Sequence, residues 1–406
     1  MISLTQARSL ISALTPHPPG VRTELRDTPG LYLLETLRCP EDIPAFDRSA
    51  MDGYALNDSI PTMHFELVGE VRTGSISPIA LAPGQCARIF TGGPTPQGTT
   101  RVAPQEHIQV DGSRITVTRK DPQTWIRHRG EDAKAGSELL VAGTLIGPGE
   151  LSILAGIGIT RPLTSDRPRV IHFTTGNEIV PCDQTPQPGQ IRDSNSTLIE
   201  ALLHESGARM VQHQHVEDSL DTLTSSVAAI PETHWDMLLI SGGASVGDYD
   251  FGAKALEALG FTIHFRKLNL RPGKPLIFGT RNDQVAFVIP GNPVSHFVTY
   301  HIAIDLALSC LKGNTRNLEL VRLPLAADLL SKPDPRETWW PAQLKIDDGH
   351  LKVAPIAWQS SGDIKGLASA NALIKISPDT QALSHRTLVE CLLLDIRRPL
   401  FHSPAL

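Results

Sequence analysis

No two of the five cysteines (Cys39, Cys86, Cys182, Cys310, Cys391) fall in a CxxC pair. Isolated thiols in odd number argue against a disulfide framework and a structural zinc site, and they fit a reducing compartment. No run approaches the ~18 apolar residues of a membrane span. No long apolar segment follows the amphipathic opening Met1-Ile-Ser-Leu-Thr-Gln-Ala-Arg8. The expectation is therefore a cytoplasmic protein that enters no membrane. Basic residues are not in excess, with 37 Lys+Arg against 43 Asp+Glu and a net charge of −6. No basic face dominates, which argues against a nucleic-acid partner. The 15 histidines contain no HExxH pattern. There is also no GxxxxGKS/T loop and no Ser/His/Asp elbow, so a catalytic zinc, a P-loop and a serine-hydrolase site are all unsupported.

Glycine and proline, by contrast, are plentiful at 32 each and dispersed through 406 residues. That length predicts roughly two to four domains, and the dispersal predicts short-stranded, turn-rich modules. After an initial helical stretch, the segments Phe65-Glu-Leu-Val-Gly, Cys86-Ala-Arg-Ile-Phe90 and Ile115-Thr-Val-Thr read as strands of a small β module. A short helix is expected near Leu151–Ala155. Beyond Arg167-Pro-Arg169 strands alternate with helices: Val170–Phe173, a helix over Ser196–Glu205 closed by Gly207, Arg209–His213, a helix over Leu220–Ala229, and a long apolar helix over roughly Val294–Leu311. Such alternation implies a largely parallel sheet covered on both faces. After Gly313 short strands return, among them Leu344–Asp347 and Leu351–Pro355. The expected fold is multidomain, α/β plus β. The expected boundaries are 1–40 with 135–165 as a discontinuous domain, 41–134 as an inserted β module, 166–313 as the α/β domain and 314–406 as a β-rich C-terminal domain.

One device recurs between Asp236 and Ser295: an apolar strand followed by a tight turn. Asp236-Met-Leu-Leu-Ile meets Ser241-Gly-Gly-Ala-Ser-Val-Gly247, Leu268-Asn-Leu meets Arg271-Pro-Gly-Lys-Pro275, and Val285-Ala-Phe-Val-Ile meets Pro290-Gly-Asn-Pro-Val-Ser295. Thr174-Thr-Gly-Asn-Glu178 adds a further turn of this kind. Ligands of open α/β sheets lie beyond the carboxyl ends of the strands, where glycine turns let backbone N–H groups approach an anion. A single such turn is more often structural than not, but their convergence on one sheet edge favours a pocket. Arg271 and Lys274, stiffened by Pro-Gly, suit a tetrahedral oxyanion. Glu178, Asp236 and Asp250 offer hard oxygen ligands of the kind Mg²⁺ accepts, although solvated or capping carboxylates look the same in sequence. Pro293 fits the first turn of a helix, beside which Ser295 presents a hydroxyl.

Over nearly its whole length the sequence resembles the molybdopterin molybdenumtransferases, the MoeA family to which the E domain of gephyrin belongs. The resemblance rests on Asp47-Arg-Ser-Ala-Met-Asp-Gly-Tyr-Ala55, Arg88-Ile-Phe-Thr-Gly-Gly-Pro-Thr-Pro96, Arg129-Gly-Glu-Asp132, Ser241–Asp248, Arg271–Pro275, Pro290–Ser295 and Gln359-Ser-Ser-Gly362, in the family's order. It implies a central molybdopterin-binding α/β domain in an elongated homodimer. It also implies Mg²⁺-dependent insertion of molybdate into adenylylated molybdopterin with release of AMP, and the molybdopterin adenylyltransferase as a further partner. By matching position it implies catalytic roles for Asp52, Asp236, Asp250 and Lys274. Substrate binding would fall to Thr91, Glu178, Ser241, Gly242, Gly243, Ser245, Arg271, Pro275, Ser295, Arg336 and Ser361, and metal binding to Glu178, Asp236 and Asp250. The sequence departs from the family pattern at Thr100 and Asn177, where carboxylates are usual, and Arg271 stands where lysine is also common. Two rival readings are a molybdopterin-binding carrier without turnover and a dimeric scaffold. Retention of Asp52, Asp236, Asp250 and Lys274 weighs against the first. The absence of a long linker or appended partner domain weighs against the second.

Overall fold

Short apolar segments closed by glycine and proline turns become the strands of three six-stranded sheets in a computed structural model of the chain. The structure describes residues 1–17, 19–74, 78–243, 251–314, 318–331, 333–347, 349–357 and 362–394. Two compact units result. The smaller comprises Glu24–Asp27 and Glu35–Pro162; the larger comprises Met1–Thr23, Thr28–Leu34 and Leu163–Leu406.

The smaller unit holds β1 (Gly53–Leu56), β2 (His64–Val71), β3 (Gln85–Ile89), β4 (Arg101–Pro104), β5 (Ile108–Asp111) and β6 (Arg114–Val117), in the order β4-β1-β3-β2-β6-β5. All pairings are antiparallel except β2 with β3. The strands alternate between two apolar clusters. Tyr54, Leu56 and Cys86 face one cluster, and Ala55, Ala87 and Ile89 face the other. Gly53 permits the β1–β4 pairing, because a Cβ there would lie 2.0 Å from the Ala103 carbonyl oxygen. A helix over Pro148–Gly156 also belongs to this unit, and Pro148 opens it.

In the larger unit the near-continuous apolar runs form the central sheet. Its strands are β7 (Arg169–Thr175), β8 (Arg209–Val216), β9 (Met237–Ser241), β10 (Thr262–Phe265), β12 (Ile277–Arg281) and β13 (Gln284–Ile289). Their order is β8-β7-β9-β13-β12-β10. The first four are parallel, and β12 and β10 are antiparallel additions. Successive residues point to opposite faces, so Met237 and Leu239 join one core while Leu238 and Ile240 join the other. The first core is covered by α1 (Leu4–Leu14), α2 (Asn195–Glu205) and α5 (Pro293–Leu311), and the second by α3 (Leu220–Ala228) and α4 (Phe251–Ala258). A fully buried Leu or Phe contributes about 1.5–3 kcal/mol, so these two faces account for much of the unit's stability.

Local signals set the helix ends. At α1 the Ser3 hydroxyl accepts the Gln6 N–H while the Gln6 side chain accepts the Ser3 N–H. Gly207, at φ +71°, follows the end of α2. By length and composition α5 would pass for a membrane span, contrary to the expectation that no run comes near one. However, 89% of its apolar window is buried within this unit, so its apolarity serves the core.

A second departure concerns Leu268-Asn-Leu. These residues do not extend the central sheet. The short strand β11 (Leu270–Arg271) pairs in parallel with β15 (Glu337–Asp347) of another sheet. That sheet also contains β14 (Leu320–Pro324), β16 (His350–Pro355), β17 (Ala372–Ile376) and β18 (Leu388–Leu393), in the order β11-β15-β17-β18-β14 with β16 on β15. The β-rich C-terminal part and the α/β fold both follow the sequence expectation, but the Arg271 turn is tied to the former.

Candidate functional site

The strands β7, β9 and β13 are neighbours and parallel, so their carboxyl ends lie side by side: Thr174 is level with Ser241, and Ser241 with Ile289. The turns Thr174–Glu178, Ser241–Gly243 and Pro290–Ser295 therefore share one edge of the sheet. The remainder of the second turn, with Ser245 and Asp250, lies outside the described residues, as does Ser361. Two contacts bind the turns together. The Gly242 N–H donates to the Ile289 carbonyl at 3.0 Å. Gly242 itself (φ +100°) leaves so little room that a Cβ would fall 2.6 Å from the Thr175 carbonyl oxygen. Internal packing thus already requires glycine at this position.

Ser241 is among the positions that the resemblance assigns to substrate binding. Its hydroxyl is buried between two imidazoles, 2.7 Å from His172 Nε2 and 2.7 Å from His296 Nε2. The hydrogen-bond network assigns the tautomers. His296 Nδ1 lies 3.2 Å from the Asn292 carbonyl, which can only accept, so Nδ1 carries the proton. His296 Nε2 must then accept the single Ser241 proton, and Ser241 in turn accepts from His172 Nε2–H. Among the described residues His172 Nδ1 is left as a buried acceptor without a hydrogen-bond partner. Burial drives the His172 pKa well below its ordinary value, helped by His213 and His296. Burial likewise lowers His296 to about 4, against the opposing effects of Asn292 and Asp193. The ladder is neutral, and it fastens β7, the end of β9 and the first turn of α5 to one another. Asp193 caps α2 by accepting the N–H groups of Asn195 and Ser196, each at 3.0 Å, and it also accepts the Thr174 hydroxyl at 3.2 Å. The Asn195 side chain donates to the Gly291 carbonyl at 2.7 Å. His172, His296, Asp193 and Asn195 were not singled out in the sequence. The signal for His172 was available, since a histidine inside Val-Ile-His-Phe must be buried and bonded.

Glu178 is exposed in the first turn, with its carboxylate over Gly176. Asn177, where a carboxylate is usual in the family, accepts the Asp218 N–H at 3.3 Å. Asp236 does not join them. It precedes β9 at the amino end, about 16 Å of strand from the turns. Both of its oxygens are held there by Arg169, Nη2 to Oδ1 at 2.7 Å and Nε to Oδ2 at 3.1 Å. The expectation that Asp236 sits with the glycine turns is corrected by this placement. Among the described residues no three His, Cys, Asp or Glu side chains gather around a point. Of the carboxylates named for Mg²⁺, Glu178 and Asp236 lie at opposite edges of the sheet and share no site, while Asp250 lies outside the described residues.

The turn Arg271–Pro275 reaches the same neighbourhood from the other sheet. The Lys274 carbonyl accepts the Leu268 N–H at 2.8 Å and closes the loop. Gly273 (φ +96°) packs so closely on α5 that a Cβ would meet Thr299 Cγ2 at 2.4 Å. One turn earlier on that helix is Ser295, buried, whose carbonyl accepts the Thr299 hydroxyl at 2.7 Å. Lys274 and Pro275 are half-buried. Arg271 and Arg336 converge on Asp334, a residue the sequence reading passed over. Arg336 grips it with Nε at 2.8 Å and Nη2 at 2.7 Å, and Arg271 Nη1 approaches Oδ2 at 3.4 Å. Hydrogen bonding from Arg336 is the main reason the Asp334 carboxyl is held below its usual range.

In the smaller unit Asp52 and Thr91 are brought together. Asp52 Oδ1 accepts both the Thr91 N–H, at 2.7 Å, and the Thr91 hydroxyl, at 2.8 Å. The backbone bond is the leading cause of its lowered pKa, followed by the hydroxyl, with Arg88 adding charge. Thr100, another departure from the family pattern, donates its hydroxyl to Asp58 at 2.6 Å. The Arg129-Gly-Glu-Asp132 motif is an ion-pair knot, in which Asp42 meets Arg129 Nε at 2.7 Å and Asp47 meets the Arg129 N–H at 2.7 Å.

Three family models match the chain in succession. They are the MoeA N-terminal region (domain I and II) over residues 2–158, a probable molybdopterin binding domain over 171–308, and the MoeA C-terminal region (domain IV) over 322–394. A molybdopterin molybdenumtransferase of Nostoc sp. is 35% identical over 358 residues, covering 85% of this chain and 82% of the relative. One from Bacillus subtilis is 31% identical over 385 residues, covering 91% and 89%. Among solved structures, the molybdopterin biosynthesis MoeA protein from Pyrococcus horikoshii OT3 shares the fold with a TM-score of 0.81 at 23% identity, over 97% of this chain and 100% of that one.

Proposed function

The chain belongs to the molybdopterin molybdenumtransferases, enzymes of molybdenum cofactor biosynthesis, and we propose that it inserts molybdate into adenylylated molybdopterin with release of AMP. The observation that carries this reading is the meeting of three glycine turns at the carboxyl ends of β7, β9 and β13. Beside them lie Lys274 and the arginines 271 and 336. Backbone N–H groups in such turns suit phosphate oxygens, and fixed cations suit a tetrahedral dianion as its charge is redistributed. Ser295, in the first turn of α5, belongs to the same side. Pro275 stiffens the Lys274 turn. For the smaller unit we propose Asp52, oriented by Thr91, as a ligand contact.

Several finer features belong to the same proposal. They are the homodimer, the adenylyltransferase as partner, the cytoplasmic location, the four-part domain division and the dependence on Mg²⁺. Glu178 and Asp250 are the carboxylates proposed for the cation; Asp236 is withdrawn from that set by its pairing with Arg169.

The test is to incubate the purified protein with adenylylated molybdopterin, molybdate and Mg²⁺ and to follow AMP. Molybdate-dependent release is expected, lost on chelation with EDTA. It should fall about 100-fold or more in Lys274→Ala, the magnitude typical of removing one fixed oxyanion donor. Binding without release would support a carrier instead, and neither binding nor release would leave a scaffold.

A further inference from the structure

We infer that Asp334 is a positioning residue for the oxyanion, holding Arg271 and Arg336 together as one preassembled cationic fork. The inference rests on the reading that these arginines receive molybdate.

Two guanidinium groups from distant segments meet only because β11 lies parallel to the start of β15, with Arg271 level with Thr338. Left alone they would repel and splay. Asp334 supplies the counter-charge between them. Its Oδ1 accepts the Arg336 backbone N–H at 3.0 Å and Arg336 Nε at 2.8 Å, while Oδ2 is shared by Arg336 Nη2 and Arg271 Nη1. The carboxylate is thus fixed by its own neighbour's backbone before it fixes the side chains.

Exposure decides between two roles for it. An aspartate standing in front of the arginines would compete with an incoming anion. Here the Asp334 side chain is 14% exposed, against 35% for Arg271 and 30% for Arg336. The carboxylate lies behind the arginines, which carry the more accessible surface. Two positive charges less one negative leave the cluster net cationic, so an oxyanion arriving from solvent meets guanidinium before carboxylate. Such support from behind limits the reorganisation needed when the ligand arrives.

The test compares Asp334→Asn, Asp334→Glu, Lys274→Ala and Arg336→Ala in the full-length protein. It reads KM for molybdate, KM for adenylylated molybdopterin and kcat from AMP release, and molybdate affinity directly by calorimetry. Asp334→Asn keeps the shape but turns an amide N–H₂ toward the guanidinium donors. It should raise KM for molybdate and weaken its binding by about tenfold, the equivalent of one charge-assisted hydrogen bond. The KM for the pterin substrate should be unchanged, and Asp334→Glu should recover most of the loss. A general loss of fold would move both KM values or the melting temperature, and Asp334→Glu, which keeps the charge, then carries the comparison. If Lys274→Ala and Arg336→Ala leave molybdate affinity unaltered, the site reading itself fails. If those variants weaken it while Asp334→Asn does not, or if Asp334→Asn tightens it, the positioning role is overturned.

Discussion

The two ends of the central sheet are made from the same apolar strands and treat charge in opposite ways. At the amino end Asp236 is closed off, with both oxygens taken by the Arg169 fork and the Arg169 backbone N–H added at 2.7 Å. At the carboxyl end the turns are glycine and are clamped by neutral imidazoles and a hydroxyl, the buried Asp193 is spent on the Thr174 hydroxyl and the N–H groups of α2, and Glu178 is exposed. A carboxylate that already accepts three hydrogen bonds from one arginine has little left to offer a ligand. Neutral clamps do something different, since they stiffen the turns without adding charge of their own. A substrate carrying phosphates and a molybdate dianion is therefore better received at the carboxyl end, where the cations of the neighbouring sheet also arrive.

The largest effect that separates the two ends is expected at Gly242. Gly242→Ala places a Cβ against the Thr175 carbonyl and forces alanine to φ +100°. It should cost about 2–3 kcal/mol in urea unfolding and remove AMP release. A variant of native stability would show that the turns yield more easily than their packing implies.

The imidazole ladder gives a pH signature confined to the carboxyl end. Folded His296 titrates at about 4 rather than at its ordinary 6.5, because burial opposes its charged form. Between those values the unfolded chain binds a proton that the folded chain refuses, so this group's contribution is whole above pH 6.5 and declines as pH falls toward 4. Urea midpoints of the wild type should drop across that window more steeply than those of His296→Leu. Parallel curves would sink the assignment of a neutral clamp. The smallest effect is expected at the amino end: Asp236→Asn should cost about 1 kcal/mol or less, as for a partly exposed ion pair, and leave AMP release intact. Lost turnover in that variant would return the chemistry to the end from which the structure removes it.

The linear order of residues determined a good deal. Apolar runs closed by glycine marked β7, β9 and β13. The apolar interval Val294–Leu311 marked α5 within one residue of its observed start at Pro293. Motifs from Asp47 to Gly362 marked the family. These features are local, because strand period, proline and glycine act within a few residues. What depended on tertiary structure was which groups spend their polarity on each other. Asp236 and Ser241 bracket one short strand and look alike on paper, but a parallel sheet sends its two ends to opposite edges, where Arg169 meets one and two histidines meet the other. Asp334 became visible only when β11 crossed to pair with β15, because no local rule links Arg271 to Arg336. A hydrogen bond or ion pair is short-ranged and needs no proximity in sequence, so the partners of these polar side chains were decided by the packing of the sheets.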